Sequence, residues 1–245
     1  MTPPRSVSYG KEGTPLRCAS THTNDQKTKR RPPSSPRATC IDGDTCVRLE
    51  SGVRCKAVEK MVRAFFPSAA FSVQVVCNRQ GLARYKLARQ QYISRTGVSA
   101  EEEWLWHGTG EMSTVAVARH HDGLDIRYAR PGNRFGRAVY FTSNLACALG
   151  YAHVEDGMEV GHPPTVRTGL ALRAVVTKRV LLCRVLTGKP YIASGCENMS
   201  VALQAPPGHD CVRSLDVSGM DVAAIYNNDH ILITHVVAFT YGVYA

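Results

Sequence analysis

The sequence predicts an α+β fold. Short apolar runs of strand character are interleaved with a few helical periodicities, and the regular strand–helix alternation of a doubly wound sheet is missing. The strand-like runs are rich in Val, Ile, Phe and Tyr and are bounded by Gly, Pro and Asn. No internal repeat divides the chain, and its 44% hydrophobic content is ordinary for a globular protein.

Taken in order, residues 1–44 read as a disordered basic tail, rich in Pro, Ser and Thr and with too little apolar surface to offset the entropy of ordering. Through Thr39 there are eight Lys/Arg against two Asp/Glu; the remainder holds twenty-two against eighteen. The formal charge of +10 therefore sits mostly in the tail, where KTKRRPPSSPR (27–37) is a candidate nucleic-acid-contacting or nuclear-import segment. Order is expected from near Cys46, with one domain over 45–245.

In CKAVEKMVRAFF (55–66), Val58, Met61, Val62 and Phe65 fall on one helical face, and the helix stops before Pro67. A strand follows in AFSVQVVC (70–77), then a helix over 80–94 with Leu82, Tyr85 and Tyr92 inward and Arg84, Lys86, Arg89 and Gln90 outward. Short strands come next: WLWH (104–107), AVYF (138–141) and RAVVTKRVLLCRVL (173–186). A helix at NLACALGYAH (144–153) lies between them. VAAIY (222–226) and ILITHVVAF (231–239) close the series, separated by an Asn-Asn-Asp turn.

The nine cysteines are scattered, odd in number and without a CxxC pair, and no secretory signal opens the chain, so a reducing intracellular compartment is expected, nucleus or cytoplasm. Cys40, Cys46 and Cys55 match no common zinc spacing, and the adjacent His120 and His121 make a poor metal pair; no metal is expected. Nor does any apolar run reach the about 18 residues a membrane span needs.

Two stretches carry chemistry. WLWHGTG sets His107 where a buried strand opens into a glycine-flanked loop, so that backbone can approach a ligand closely. GNRFGRAVYFTSNLACALGY (132–151) presents Tyr140 on a strand and Tyr151 on the helix after it, two rings able to hold a flat aromatic ligand. HGTG, RFGRAVYF, Tyr151, VLLCRVLTGKPY (180–191) and YNNDHILITHVV (226–237), in that order, resemble the catalytic domain of the poly(ADP-ribose) polymerase-like (PARP) family over roughly 46–245.

The resemblance implies the ADP-ribosyltransferase fold, of mixed and antiparallel sheets with a few flanking helices, and NAD as the ADP-ribose donor. It implies that His107 holds ribose hydroxyls and that the Gly108 backbone meets the nicotinamide carboxamide. Tyr140 would line the nicotinamide pocket, and Tyr151 would stack on the ring. Members that build polymers carry a glutamate as the third of a His-Tyr-Glu set; the matching position here is Val222. Asp221 beside it points to the opposite face of a strand. Ala148 stands where many members have a serine that bonds the carboxamide. Valine can neither accept a ribose hydrogen bond nor activate a hydroxyl, which implies transfer of a single ADP-ribose unit to a protein side chain. Arg127, Arg130 or Arg134 in HHDGLDIRYARPGNR (120–134) are candidates for the phosphates.

Two other readings stay open: an inactive member that binds NAD or ADP-ribose as an interaction module, and a nucleic-acid-binding protein working through its tail. The acceptor protein and the oligomeric state are not legible.

Overall fold

A computed structural model describes residues 48–50, 55–130, 132–156, 172–194, 197–215 and 221–244. The tail with its 27–37 segment, and Cys40 and Cys46, lie outside the described residues. The strands are β1 (Arg48–Glu50), β2 (Phe71–Cys77), β3 (Glu102–His107), β4 (Val139–Thr142), β5 (His153–Asp156), β6 (Leu172–Leu186), β7 (Pro190–Ile192), β8 (Cys211–Leu215), β9 (Asp221–Ile225) and β10 (Ile231–Tyr244). The helices are α1 (Lys56–Phe65), α2 (Arg79–Thr96), α3 (Thr114–Arg119) and α4 (Leu145–Gly150), with single 3-10 turns at Ile126–Tyr128 and Asn228–His230. The architecture is the expected α+β.

The strands join in the order β1-β2-β10-β6-β3-β4-β9-β8-β7, with β5 also on β6. Every described pair is antiparallel except β7–β8. β6 is central, and Val180 to Cys183 and Val185 are fully buried, so both faces are covered there and VLLC (180–183) reads as a continuous apolar run. Leu105, Leu181, Cys183 and Val185 pack on one face with Val117 and Ala118 of α3. On the other, Val180 and Leu182 meet Val58 and Val62 of α1 and Leu145 of α4, while Leu186 meets Tyr85, Ala88 and Tyr92 of α2.

Local signals set the helix ends. Asn78 Oδ1 accepts from Gly81 N at 2.8 Å and caps α2, which stops at Gly97 with φ +73°. Asn144 Oδ1 accepts from Ala146 N at 2.9 Å and caps α4.

Three expected side-chain orientations need correction. Phe65 is 43% exposed, because α1 ends there and the chain turns Phe66 onto Phe239, ring centroids 5.8 Å apart. Leu82 is exposed, since the buried stripe of α2 runs through Gly81, Tyr85, Ala88 and Tyr92. Arg84 is half-buried rather than outward: it pairs with Asp122 and Asp229 and ties α2 to two loops. The helix expected over 144–153 is shorter, and its last residues start β5. Among the described residues, no helix is long and apolar enough to cross a membrane.

Candidate active site

The sheet itself opens the site. β3 runs beside β6 from Glu102 to His107, yet it meets β4 in register only at Trp106↔Thr142. Beyond that pair the strands diverge, and a cavity of about 640 Å³ fills the gap. His107, Gly108, Tyr140, Ala148, Tyr151 and Val222 all line it.

His107 Nδ1 lies 2.7 Å from the carbonyl oxygen of Tyr140. A carbonyl only accepts, so the proton sits on Nδ1 and Nε2 keeps its lone pair. Burial pushes the imidazole below its ordinary pKa, against the opposing pull of that hydrogen bond, so the neutral ring is favoured. Phe141 packs against it with centroids 5.4 Å apart.

Gly108 follows because nothing larger fits. A Cβ there would lie 2.4 Å from the Ala148 carbonyl and 2.8 Å from that of Tyr151. Gly110 N then donates to Tyr151 O at 2.8 Å, so the turn after His107 is fastened to the end of α4. Thr109 and Thr114, both buried, share a hydrogen bond of 2.9 Å, and Thr109 Oγ1 also donates to Met112 O at 2.7 Å.

Tyr140 works partly through its hydroxyl, which accepts from Phe135 N at 3.0 Å and donates to Gly136 O at 2.8 Å. Desolvation raises its pKa to about 12. The phenol thus clamps the loop before β4. Gly136 (φ +77°) is packed so close that a Cβ would lie 2.0 Å from Ala202 O, the oxygen that accepts from Arg137 N at 2.9 Å. Tyr151, in contrast, is the C-cap of α4, a residue 69% exposed that lines the cavity. Ala148 is buried and offers no polar side-chain atom.

Trp106, Thr142, Val222 and Ser214 are paired across β3, β4, β9 and β8, so they share one face, and all four line the cavity. Asp221 does not line it. Its carboxylate accepts from Arg213 Nη2 at 2.9 Å, and the same nitrogen donates to Glu103 at 2.9 Å.

The basic residues separate. Arg127 is not among the lining residues; its guanidinium is bound to Asp125, with Nη2 2.6 Å from Oδ2. Arg130 and Arg134 do line the cavity. Arg130 pairs with Glu111 at 2.6 Å, and Arg134 donates to Ser194 O at 2.9 Å. Asp125, whose role the sequence reading missed, is buried and also bonded to Arg127 N and to Asn228 Nδ2. These donors, the Arg127 side chain foremost, hold its carboxyl at about 2 against the opposite push of burial. Ser214 was missed too, because the strand CVRSL lacks the aliphatic density of its neighbours; the alternation of buried Val212 with Ser214 was the available signal.

The two adjacent histidines come closer than adjacency suggests: the rings of His120 and His121 lie 4.4 Å apart, with Asp122 beside them. The Asp122 carboxylate is engaged by Arg84 and His121, and the group lies outside the cavity lining. Cys55, the one described member of the cysteine trio, is buried near Val73 O.

Compared with models of known protein families, residues 55–234 match the poly(ADP-ribose) polymerase catalytic domain. That span is well over half the chain and contains every lining residue discussed above. The chain therefore belongs to the poly(ADP-ribose) polymerase catalytic-domain family, the ADP-ribosyltransferases that use NAD as substrate.

Proposed function

We propose that the chain is an NAD-dependent protein mono-ADP-ribosyltransferase, its catalytic unit beginning near residue 45. The observation that carries this reading is the apolar Val222 facing the cavity that His107, Gly108, Tyr140 and Tyr151 also line, while Asp221 is held by Arg213 outside it.

The residues present fit the donor. The cavity volume lies within the about 300–1,000 Å³ typical of ligand pockets. The exposed Tyr151 ring is a flat wall for nicotinamide opposite Tyr140, and the backbone beside Gly108 can meet the carboxamide because no side chain intervenes. The His107 Nε2 lone pair accepts from a ribose hydroxyl. Held this way, the bond from the anomeric carbon to nicotinamide loosens toward an oxocarbenium-like state and nicotinamide leaves as a neutral molecule. An acceptor side chain forms its bond to the same carbon from the opposite face. Valine at 222 puts no carboxylate at that position to activate a hydroxyl, so an acceptor that carries its own charge, Glu or Asp, is favoured. Arg130 is the cation best placed for the phosphates, in exchange for Glu111.

A second reading, a binding module without turnover, is favoured by Ala148, which leaves the carboxamide one side-chain partner fewer. Labelled NAD incubated with the wild type and with His107→Ala separates the two. A single sharp labelled band that the variant loses supports mono-transfer. A high-mass smear would overturn it, and NAD binding with no label selects the module.

A further inference from the structure

Ser214 is 1% exposed, and its hydroxyl has no hydrogen-bond partner among the described residues. A buried hydroxyl without a partner is costly and uncommon, so its surroundings matter. The residue lines the cavity and sits directly across from Val222 in the β8–β9 register. On the shared face, Thr142 Oγ1 already accepts from Asn144 N at 3.0 Å, turning the chain into α4. Val222 has no polar side-chain atom. At this end of the row, Ser214 Oγ is therefore the side-chain hydroxyl left with its hydrogen-bonding capacity unused.

That capacity matches a sugar hydroxyl. An alcohol oxygen both donates and accepts, so it pairs with another alcohol in either sense, directly or through one water. With the nicotinamide held between Tyr140 and Tyr151, the ribose attached to it lies toward Val222, where a carboxylate would otherwise receive one of its hydroxyls. We propose, on the reading that the cavity binds NAD, that Ser214 takes up this ribose hydroxyl, directly or through a single water, in place of the carboxylate that Val222 lacks. Ser214 is then a substrate-positioning residue. It orients the sugar without supplying a base, consistent with transfer that stops after one unit.

Calorimetric titration of the full chain tests this with three probes: NAD and its two analogues lacking one or the other hydroxyl of the nicotinamide ribose. Ser214→Ala is expected to weaken NAD binding by about 2- to 10-fold, the worth of one hydrogen bond. The wild type should show a similar loss for the analogue missing the partner hydroxyl, and Ser214→Ala should add nothing further to that loss. The ligand-free variant should melt no lower than the wild type, because it discards an unsatisfied polar group. Ser214→Cys, near in size and a weak donor, should bind NAD with intermediate affinity. Equal NAD affinity in wild type and Ser214→Ala, or an equal loss for all three probes, overturns the assignment while the cavity reading stands. A wild type that binds none of the probes overturns both.

Discussion

At the scale of single residues the site depends on what is absent as much as on what is present. Gly108 carries no side chain where one would strike the Ala148 carbonyl oxygen at 2.4 Å and that of Tyr151 at 2.8 Å, and both atoms belong to backbone that cannot rotate away. Gly108→Ala should therefore cost about 1–3 kcal/mol through overpacking and displace α4 from the turn after His107. A thermal melt and an NAD titration check this; a variant that melts like the wild type and binds NAD equally would show that the contact is soft. The motif made this glycine noticeable, but the reason for it lies in α4, some forty positions on. His107 shows the same division. Its residue type and its place at a strand end are readable from WLWHGTG, whereas its tautomer is set by the Tyr140 carbonyl.

At the scale of elements, one carboxylate fastens the 3-10 turn in the loop between α3 and β4. Asp125 binds Arg127 within the loop and Asn228 of the turn before β10, and Asn228 Oδ1 also accepts from Ile126 N at 2.9 Å. Asp125→Asn should lower stability by about 1–3 kcal/mol and increase amide hydrogen exchange over 122–130. The pH dependence has a definite sign. Because folding depresses this carboxyl to about 2, its stabilisation is complete above the unfolded value of about 3.9 and is lost as pH falls through the folded one. The gap between wild type and variant should accordingly close between pH 4 and about 2, read by urea melts at each pH. A gap that persists unchanged below pH 2 contradicts the ion pair as its cause. Elements dense in aliphatic residues, such as β6 and β10, are legible from sequence because burial on both faces makes VLLC (180–183) and VVAF (236–239) continuous apolar runs. The short β5, β7 and β8 are not: each is held by its neighbours' edges rather than by its own pattern.

For the whole molecule, the family match begins at residue 55 and the first described strand at Arg48, which pairs with Cys77 on the sheet's outer edge. Removing residues 1–44 spares that strand, so the shortened chain should keep its melting transition and its NAD-dependent labelling. Precipitation or loss of the transition would move the domain boundary toward the N-terminus. Comparing both chains for nucleic-acid affinity over a salt series tests the basic tail, whose contribution should fall steeply with salt and vanish on deletion.

By itself the sequence determined the α+β class, the central strands, the longer helices and the order of the blocks that mark the family. These follow from periodicity, turn and proline signals and motif spacing, all of them local. Tertiary structure alone decided which residues meet. It turned Asp221 toward Arg213 and brought Ser214 beside Val222. The physical reason is cross-strand register. Each of these outcomes depends on which residue of one strand lies opposite which residue of another, and no local pattern along the chain encodes that pairing.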